Sequence, residues 1–190
     1  MGGSWGNVNI KGMKQLQKKL QKIQQSDLDT FYRACAKELA ARLLRSTIRR
    51  TPVGKYGKEV EVTAKKDSKH HKKGDVYKKW VNQTGKTGGT LRRGWTSGTQ
   101  AEAAQGKGGG AKNIDAFLQN VQVTHTGNMY QITIKNPVEY ASYVEYGHRT
   151  RSHKGWVQGR FMLTISMQEL ESKLPAILEQ KLYNFLKGVF

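Results

Sequence analysis

Five histidines, one cysteine and fourteen carboxylates are the residues of this chain that could do chemistry. Their spacing decides whether they do. His148 and His153 stand five apart and His70 adjoins His71, which invites a metal reading. A zinc site needs three or four converging histidine, cysteine or carboxylate ligands. Neither pair has an acid or a second thiol at ligand spacing, and both lie in loops crowded with cations that repel a metal ion. Cys35 falls on the apolar stripe of a helical pattern, where a cysteine packs as a small hydrophobe and not as a thiolate nucleophile. As the one cysteine it forms no internal disulfide, which fits a chain made in a reducing compartment. Gly85-Lys86-Thr87 echoes a phosphate loop, but that pattern needs a glycine at position 80, where the chain has Trp80. Glu139 and Glu145 lie six apart and so point to different faces of a helix, and Asp115 has no partner at a useful spacing. No catalytic residue, metal or cofactor is expected.

What remains is the chemistry of recognition. Tyr140-Ala141-Ser142-Tyr143-Val144-Glu145-Tyr146-Gly147 sets three tyrosines on about a turn and a half of helix that ends at a glycine. Tyrosine offers a large rigid surface at low entropic cost, as protein interfaces use it. Because Tyr140 and Tyr143 share a face, plain core packing is the other reading. The second feature is charge. The chain carries 33 Lys and Arg against 14 Asp and Glu, a formal net charge of +19, and a field of that size draws polyanions whatever the fold. Between Arg49 and Arg93 there are 14 basic and four acidic residues, and Tyr56, Tyr77, Trp80 and Trp95 interleave with Lys78, Lys79, Arg92 and Arg93. Aromatic rings among cations suit the stacking and phosphate contacts of nucleic-acid binding, and equally a loop that orders against an acidic neighbour.

The elements that must position these groups follow from periodicity. Leu16, Leu20 and Ile23 put one apolar stripe on a short helix over Met13 to Gln25. A second helix starts near Ser26-Asp27, carries Leu28, Phe31, Tyr32, Cys35, Leu39 and Leu43 at helical spacing, gathers Arg42, Arg45, Arg49 and Arg50 in its last turns, and stops at Thr51-Pro52. Glu59 to Thr63 and Gly89 to Thr96 read as short strands within flexible basic surroundings. Val121 to His125 and Met129 to Lys135 read as a hairpin about Thr126-Gly127-Asn128, a turn that needs positive φ. Asn136-Pro137 caps a helix over Val138 to Tyr146. From Arg160 to the end a long amphipathic helix is kinked or broken at Pro175. The expected class is α+β: a small antiparallel sheet packed with N-terminal and C-terminal helices, in one domain over residues 1–190 with a flexible basic insertion over 54–88 and a Gly-rich loop over 97–112. No run of about 20 apolar residues is present, so no membrane-spanning helix is expected.

Taken in order, Thr51-Pro52-Val53, Thr87 to Trp95 with its Leu91-Arg92-Arg93, Tyr140 to Gly147, and Arg160-Phe161-Met162-Leu163 resemble the motif succession of the phage tail-completion or tail-terminator family. The first block is split here by Gly54 to Lys86, and the proline that commonly precedes the phenylalanine is replaced by Arg160. The resemblance implies a non-enzymatic subunit of a phage or phage-like tail, forming a homo-oligomeric ring, hexameric in the family, that terminates the tail tube and joins it to the neck on the portal side. It implies neighbouring connector and tube proteins as partners, DNA in the channel as a further contact, no membrane, assembly from the host cytoplasm and residence at the head–tail junction of the virion. Tyr140, Tyr143, Glu145, Tyr146, Gly147, Arg160 and Phe161 are then expected at the subunit interface. Lys78, Lys79, Arg92 and Arg93 are expected to face a partner's acid or DNA.

Overall fold

The computed structural model describes residues 18, 21, 25–85, 88–106 and 113–189. The helix expected over Met13 to Gln25 lies outside them. Among the described residues twelve elements follow one another: α1 (Gln25–Arg50), β1 (Lys58–Thr63), β2 (Val76–Val81), α2 (Thr90–Gly94), α3 (Gln100–Ala104), α4 (Ile114–Asn120), β3 (Thr124–Thr126), β4 (Met129–Gln131), α5 (Ala141–Tyr146), β5 (Gly147–Arg149), β6 (Trp156–Gln158) and α6 (Met162–Val189). The class is α+β, as expected. The strands form three separate antiparallel pairs, β1–β2, β3–β4 and β5–β6, where one small sheet was expected.

The chain folds as two sets of segments, each packed on itself. The first joins Met1–Leu44, Asp115–Ile134 and Leu163–Phe190. Here the helical stripe of α1 buries Cys35, Ala40, Ala41 and Leu44, and α4 contributes Leu118. Burial pushes the Cys35 thiol above its ordinary range, which keeps it protonated and inert. α6 runs antiparallel to α1: Phe185 meets Phe31 with ring centroids 4.7 Å apart, and Glu38 is ion-paired with both Lys181 and Arg42. Those two cations hold the Glu38 carboxyl below its usual range, Lys181 more than Arg42. α6 passes Pro175 as one continuous helix, so the expected break does not occur.

The β3–β4 hairpin turns on Gly127 at φ 59°, glycine taking the first central position of the two-residue loop. Its ladder is shorter than the alternation suggested. Ile132 and Ile134 still turn inward while Thr133 and Lys135 face out, yet no strand among the described residues pairs with that stretch. Side-chain alternation reports a half-buried extended chain; it does not supply a ladder partner. Asp29 of α1 ties this hairpin down. It accepts from the Tyr130 hydroxyl at 2.9 Å and from Arg33 Nε at 2.7 Å, and these bonds hold its carboxyl below the ordinary value.

The second set joins Arg45–Ile114 and Lys135–Met162. Its core is Ile48, Leu91, Trp95, Ala103, Ile114, Val138 and Met162, with the polar Thr47 and Thr51 buried among them. Two local expectations are corrected in this set. Residues 90–94 are helical, not a strand, because Gly89 at φ 91° turns the chain into α2. The 97–112 stretch contains α3, started by a capping box in which Thr99 and Glu102 satisfy each other's backbone amides. Residues 107–112 of that stretch are outside the described residues.

Candidate functional site: the motif residues and the exposed faces

Thr51 is the centre of the second set. Its hydroxyl donates to the Thr47 carbonyl at 2.7 Å and accepts from the Trp95 indole N–H at 2.8 Å. Its own carbonyl accepts from Arg92 through Nε at 3.2 Å and Nη2 at 2.7 Å. A helix end leaves carbonyls unpaired, and a buried one must find donors; here the forked guanidinium and a buried hydroxyl supply them. Arg93 does the same for its neighbours, donating to the carbonyls of Ala103 at 2.7 Å and Gly88 at 3.1 Å. Asn136 completes the arrangement: its side chain donates to the Leu91 carbonyl at 2.9 Å and accepts from the Val138 amide at 3.2 Å. It therefore closes a turn before Val138 instead of capping the following helix, which starts only at Ala141. Thr51, Leu91-Arg92-Arg93 and Trp95, far apart in sequence, thus meet in one buried knot. Trp95 is 5% exposed and cannot stack on a ligand.

The other pair of blocks meets as closely. The last turn of α5 offers carbonyls that the chain some fifteen residues on comes back to satisfy: Arg160 N donates to Val144 O at 2.8 Å and Phe161 N to Glu145 O at 3.0 Å. The contact is backbone on backbone. A Cβ on Gly159 would lie 2.2 Å from Glu145 O, and one on Gly147 would lie 2.4 Å from Val157 O. Gly147 does not take the left-handed cap the sequence suggests. Its φ of 87° and ψ of 174° fall in a region essentially reserved for glycine, and from there the chain runs straight into β5.

This clamp presents the tyrosines. Tyr140, Tyr143 and Tyr146 are 42%, 58% and 61% exposed, so the core-packing reading of them is overturned, while Glu145 between them is buried. Tyr143 meets His148 of β5 edge-on at 5.7 Å. Tyr140 walls a cleft of about 240 Å³ with Tyr56, Val53, Pro52, Leu91 and Val144, and the partial burial of its ring there pushes its phenol above the ordinary range. Trp156 and Val157 on β6 are also exposed, at 62% and 44%, and Phe161 less so. Sequence reasoning passed over both β6 residues; a tryptophan beside a valine in a basic glycine-flanked loop was the available signal.

Of the basic residues named from sequence, Arg92 and Arg93 are half-buried and committed to internal carbonyls, whereas Lys78 and Lys79 are exposed on β2. β2 is the strand the sequence did not reveal. It pairs with β1 over six residues, Lys58 opposite Val81 through to Thr63 opposite Val76. Val60, Val62, Tyr77 and Val81 are half-buried, and the other face shows Glu59, Glu61, Lys78 and Trp80 to solvent. Among the described residues no three histidines, cysteines or carboxylates gather closely enough to hold a metal, and no helix is long and apolar enough to cross a membrane.

No curated protein and no solved structure matches the chain. One protein family does, over residues 14–147: the HK97-gp10-like family, described as "Bacteriophage HK97-gp10, putative tail-component". That span takes in the Thr51 knot and runs to Gly147, and the chain belongs to this family of phage tail components.

Proposed function

We propose that this chain is a non-enzymatic structural subunit of a phage or phage-like tail, in which identical copies close into a ring that terminates the tube and joins it to the neck. The reading rests on the exposed aromatic surface of the second set, above all Tyr143 and Tyr146, held out by a glycine-locked backbone clamp. Solvent-exposed apolar surface of this kind, rigidly presented, is what a protein–protein contact consumes. A ring subunit needs two different surfaces that are complementary to each other and whose head-to-tail contacts close.

The outer face of α6 supplies a second surface, with Met167, Leu178 and Leu182 exposed. Its three lysines balance its three glutamates, so the helix is neutral within a chain of +19. Copies of so cationic a protein approach with least repulsion along such a helix. A six-fold ring, seated at the head-proximal end of the tail beside connector and tube proteins, is the arrangement the family resemblance favours.

Native mass spectrometry of the purified protein tests the reading. A closed oligomer of uniform stoichiometry is expected, with Tyr143→Glu and Tyr146→Glu shifting it to monomer at unchanged melting temperature. A wild-type chain that stays monomeric at every concentration and is missing from purified tails overturns it.

A further inference from the structure

The loop joining β1 to β2, residues 64–75, carries Lys65, Lys66, Lys69, Lys72 and Lys73 against Asp67 and Asp75. Among the described residues the two acids form no ion pair with the lysines. Asp67 accepts the Lys73 amide at 2.7 Å and Asp75 accepts the Lys72 amide at 2.7 Å, so both carboxylates, though exposed, are bonded to the loop's own backbone. Ser68 and His71 exchange three further bonds, from the His71 amide to Ser68 Oγ at 3.2 Å and to the His71 carbonyl from the Ser68 amide at 2.8 Å and the Ser68 hydroxyl at 3.2 Å. Gly74 N and Ala64 O close the base at 2.9 Å, and the His71 ring stacks on Tyr77 with centroids 4.0 Å apart. The loop is thus internally bonded, all five lysines are exposed, and among the described residues none of them is ion-paired. A cationic tip already fixed in shape loses little entropy when it binds.

From Thr51 to Leu91 the chain has ten lysines and no arginine. Lysine is a compact point charge on a flexible stem that tolerates variable phosphate positions, whereas the planar arginine fork grips carboxylate and phosphate alike in one fixed bidentate geometry. This chain uses its arginine forks on fixed carbonyls inside the knot. Further along the same hairpin stands a ring: Trp80 is 53% exposed, on the face it shares with Lys78, Glu59 and Glu61, and is oriented by an indole N–H bond to the Tyr56 carbonyl at 3.1 Å. An exposed aromatic ring on the same arm as solvent-exposed lysines is the combination by which sequence-tolerant single-strand binders hold bases and phosphates.

We propose that the β1–β2 hairpin is a nucleic-acid-binding arm, its tip lysines taking successive phosphates and Trp80 stacking an unpaired base. The proposal stands independently of the ring reading, since a monomer would bind as well.

The test is fluorescence anisotropy of the full chain with a labelled single-stranded oligonucleotide and a duplex of equal length, across a salt series. Five phosphate contacts give a log–log salt slope of about −3.5 on single strands. Replacing Lys65, Lys66, Lys69, Lys72 and Lys73 by Gln should abolish most of that slope and weaken binding about 100-fold at low salt, at an unchanged melting temperature. A charge-matched control replacing Lys18, Lys135, Arg151, Lys154 and Lys187 by Gln should stay within about three-fold, and a tip carrying Arg in place of the five lysines should bind like wild type. Trp80→Ala should cost about 10-fold on the single strand and little on the duplex. Equal losses in the tip and control variants would assign the binding to the general +19 field and overturn the proposal. Tighter binding of polyglutamate than of the oligonucleotide at matched charge and length would overturn it in favour of an acidic protein partner, and an unchanged single-strand affinity in Trp80→Ala would overturn the stacking role.

Discussion

Two cationic regions of the same folded set behave in opposite ways. Around Thr51 the guanidiniums of Arg92 and Arg93 turn inward and are consumed by backbone carbonyls. At the hairpin tip it is the carboxylates that bond to backbone amides, and the lysines are left out in solvent. From sequence both regions read as one basic tract, yet only the second offers charge to a partner. Net charge alone says how strongly a chain attracts anions; which side of the charge pairs with the backbone says where.

The contrast can be broken by asking whether each region fails in stability or in binding. Trp95→Ala empties the centre of the knot and leaves the Thr51 hydroxyl without its donor; a loss of about 4 kcal/mol in urea denaturation is expected, with oligonucleotide affinity of the folded protein unchanged. Gly159→Ala drives a methyl onto the Glu145 carbonyl and should cost about 3 kcal/mol by the same measurement. Arg92→Ala removes two charged donors from the Thr51 carbonyl, and about 2 kcal/mol should follow. If Arg92→Ala instead left stability untouched and lowered nucleic-acid affinity, the division between inward arginines and outward lysines would be wrong. In the other region, Lys69→Gln should move stability by less than about 0.5 kcal/mol.

Acid sharpens a further point, in the first set. The Asp29 carboxyl is held below its usual 3.8 by Arg33 and Tyr130, and the Glu38 carboxyl below 4.5 by Lys181 and Arg42. A depressed folded-state pKa contributes stability above the unfolded value and loses it as pH falls through the folded one. The melting temperature should therefore hold down to about pH 5 and decline below pH 4, and Asp29→Asn with Glu38→Gln should flatten that decline. A melting temperature that rises as pH falls through this window would contradict the assignment of both ion pairs.

What the sequence disclosed and what it hid divide along the range of the interactions. α1 ends at Arg50 because Thr51-Pro52 acts locally, Gly127 turns its hairpin because two residues demand it, and the apolar stripe runs through α6 to Val189. The Thr51 knot joins residues 41 and 44 positions apart, and no periodicity reports such a meeting. β2 escaped notice because its register sets Lys79 on the half-buried face and Trp80 on the exposed one, inverting the apolar-in pattern by which a strand is recognised. The tyrosines were legible as a candidate surface, but not the burial of Glu145 among them. The motif succession proved informative for a reason its resemblance did not supply: its glycines, Thr51, Arg92 and Trp95 hold distant chain segments together, and the exposed rings ride on that frame.

The abutment of Gly147 against the chain at Val157 and Gly159 carries one more consequence. It pins shut the neck of the β5–β6 excursion, and beyond it the Thr150 amide donates to the Gly155 carbonyl at 2.9 Å, so the ends of the tip are fixed independently of what lies between them. Extra residues in a loop whose ends are already fixed cost only a slowly growing entropy. An epitope or a dye-accepting cysteine spliced after Ser152 is accordingly the natural handle for following this protein into a particle, a cassette position that evolution and the bench can both use.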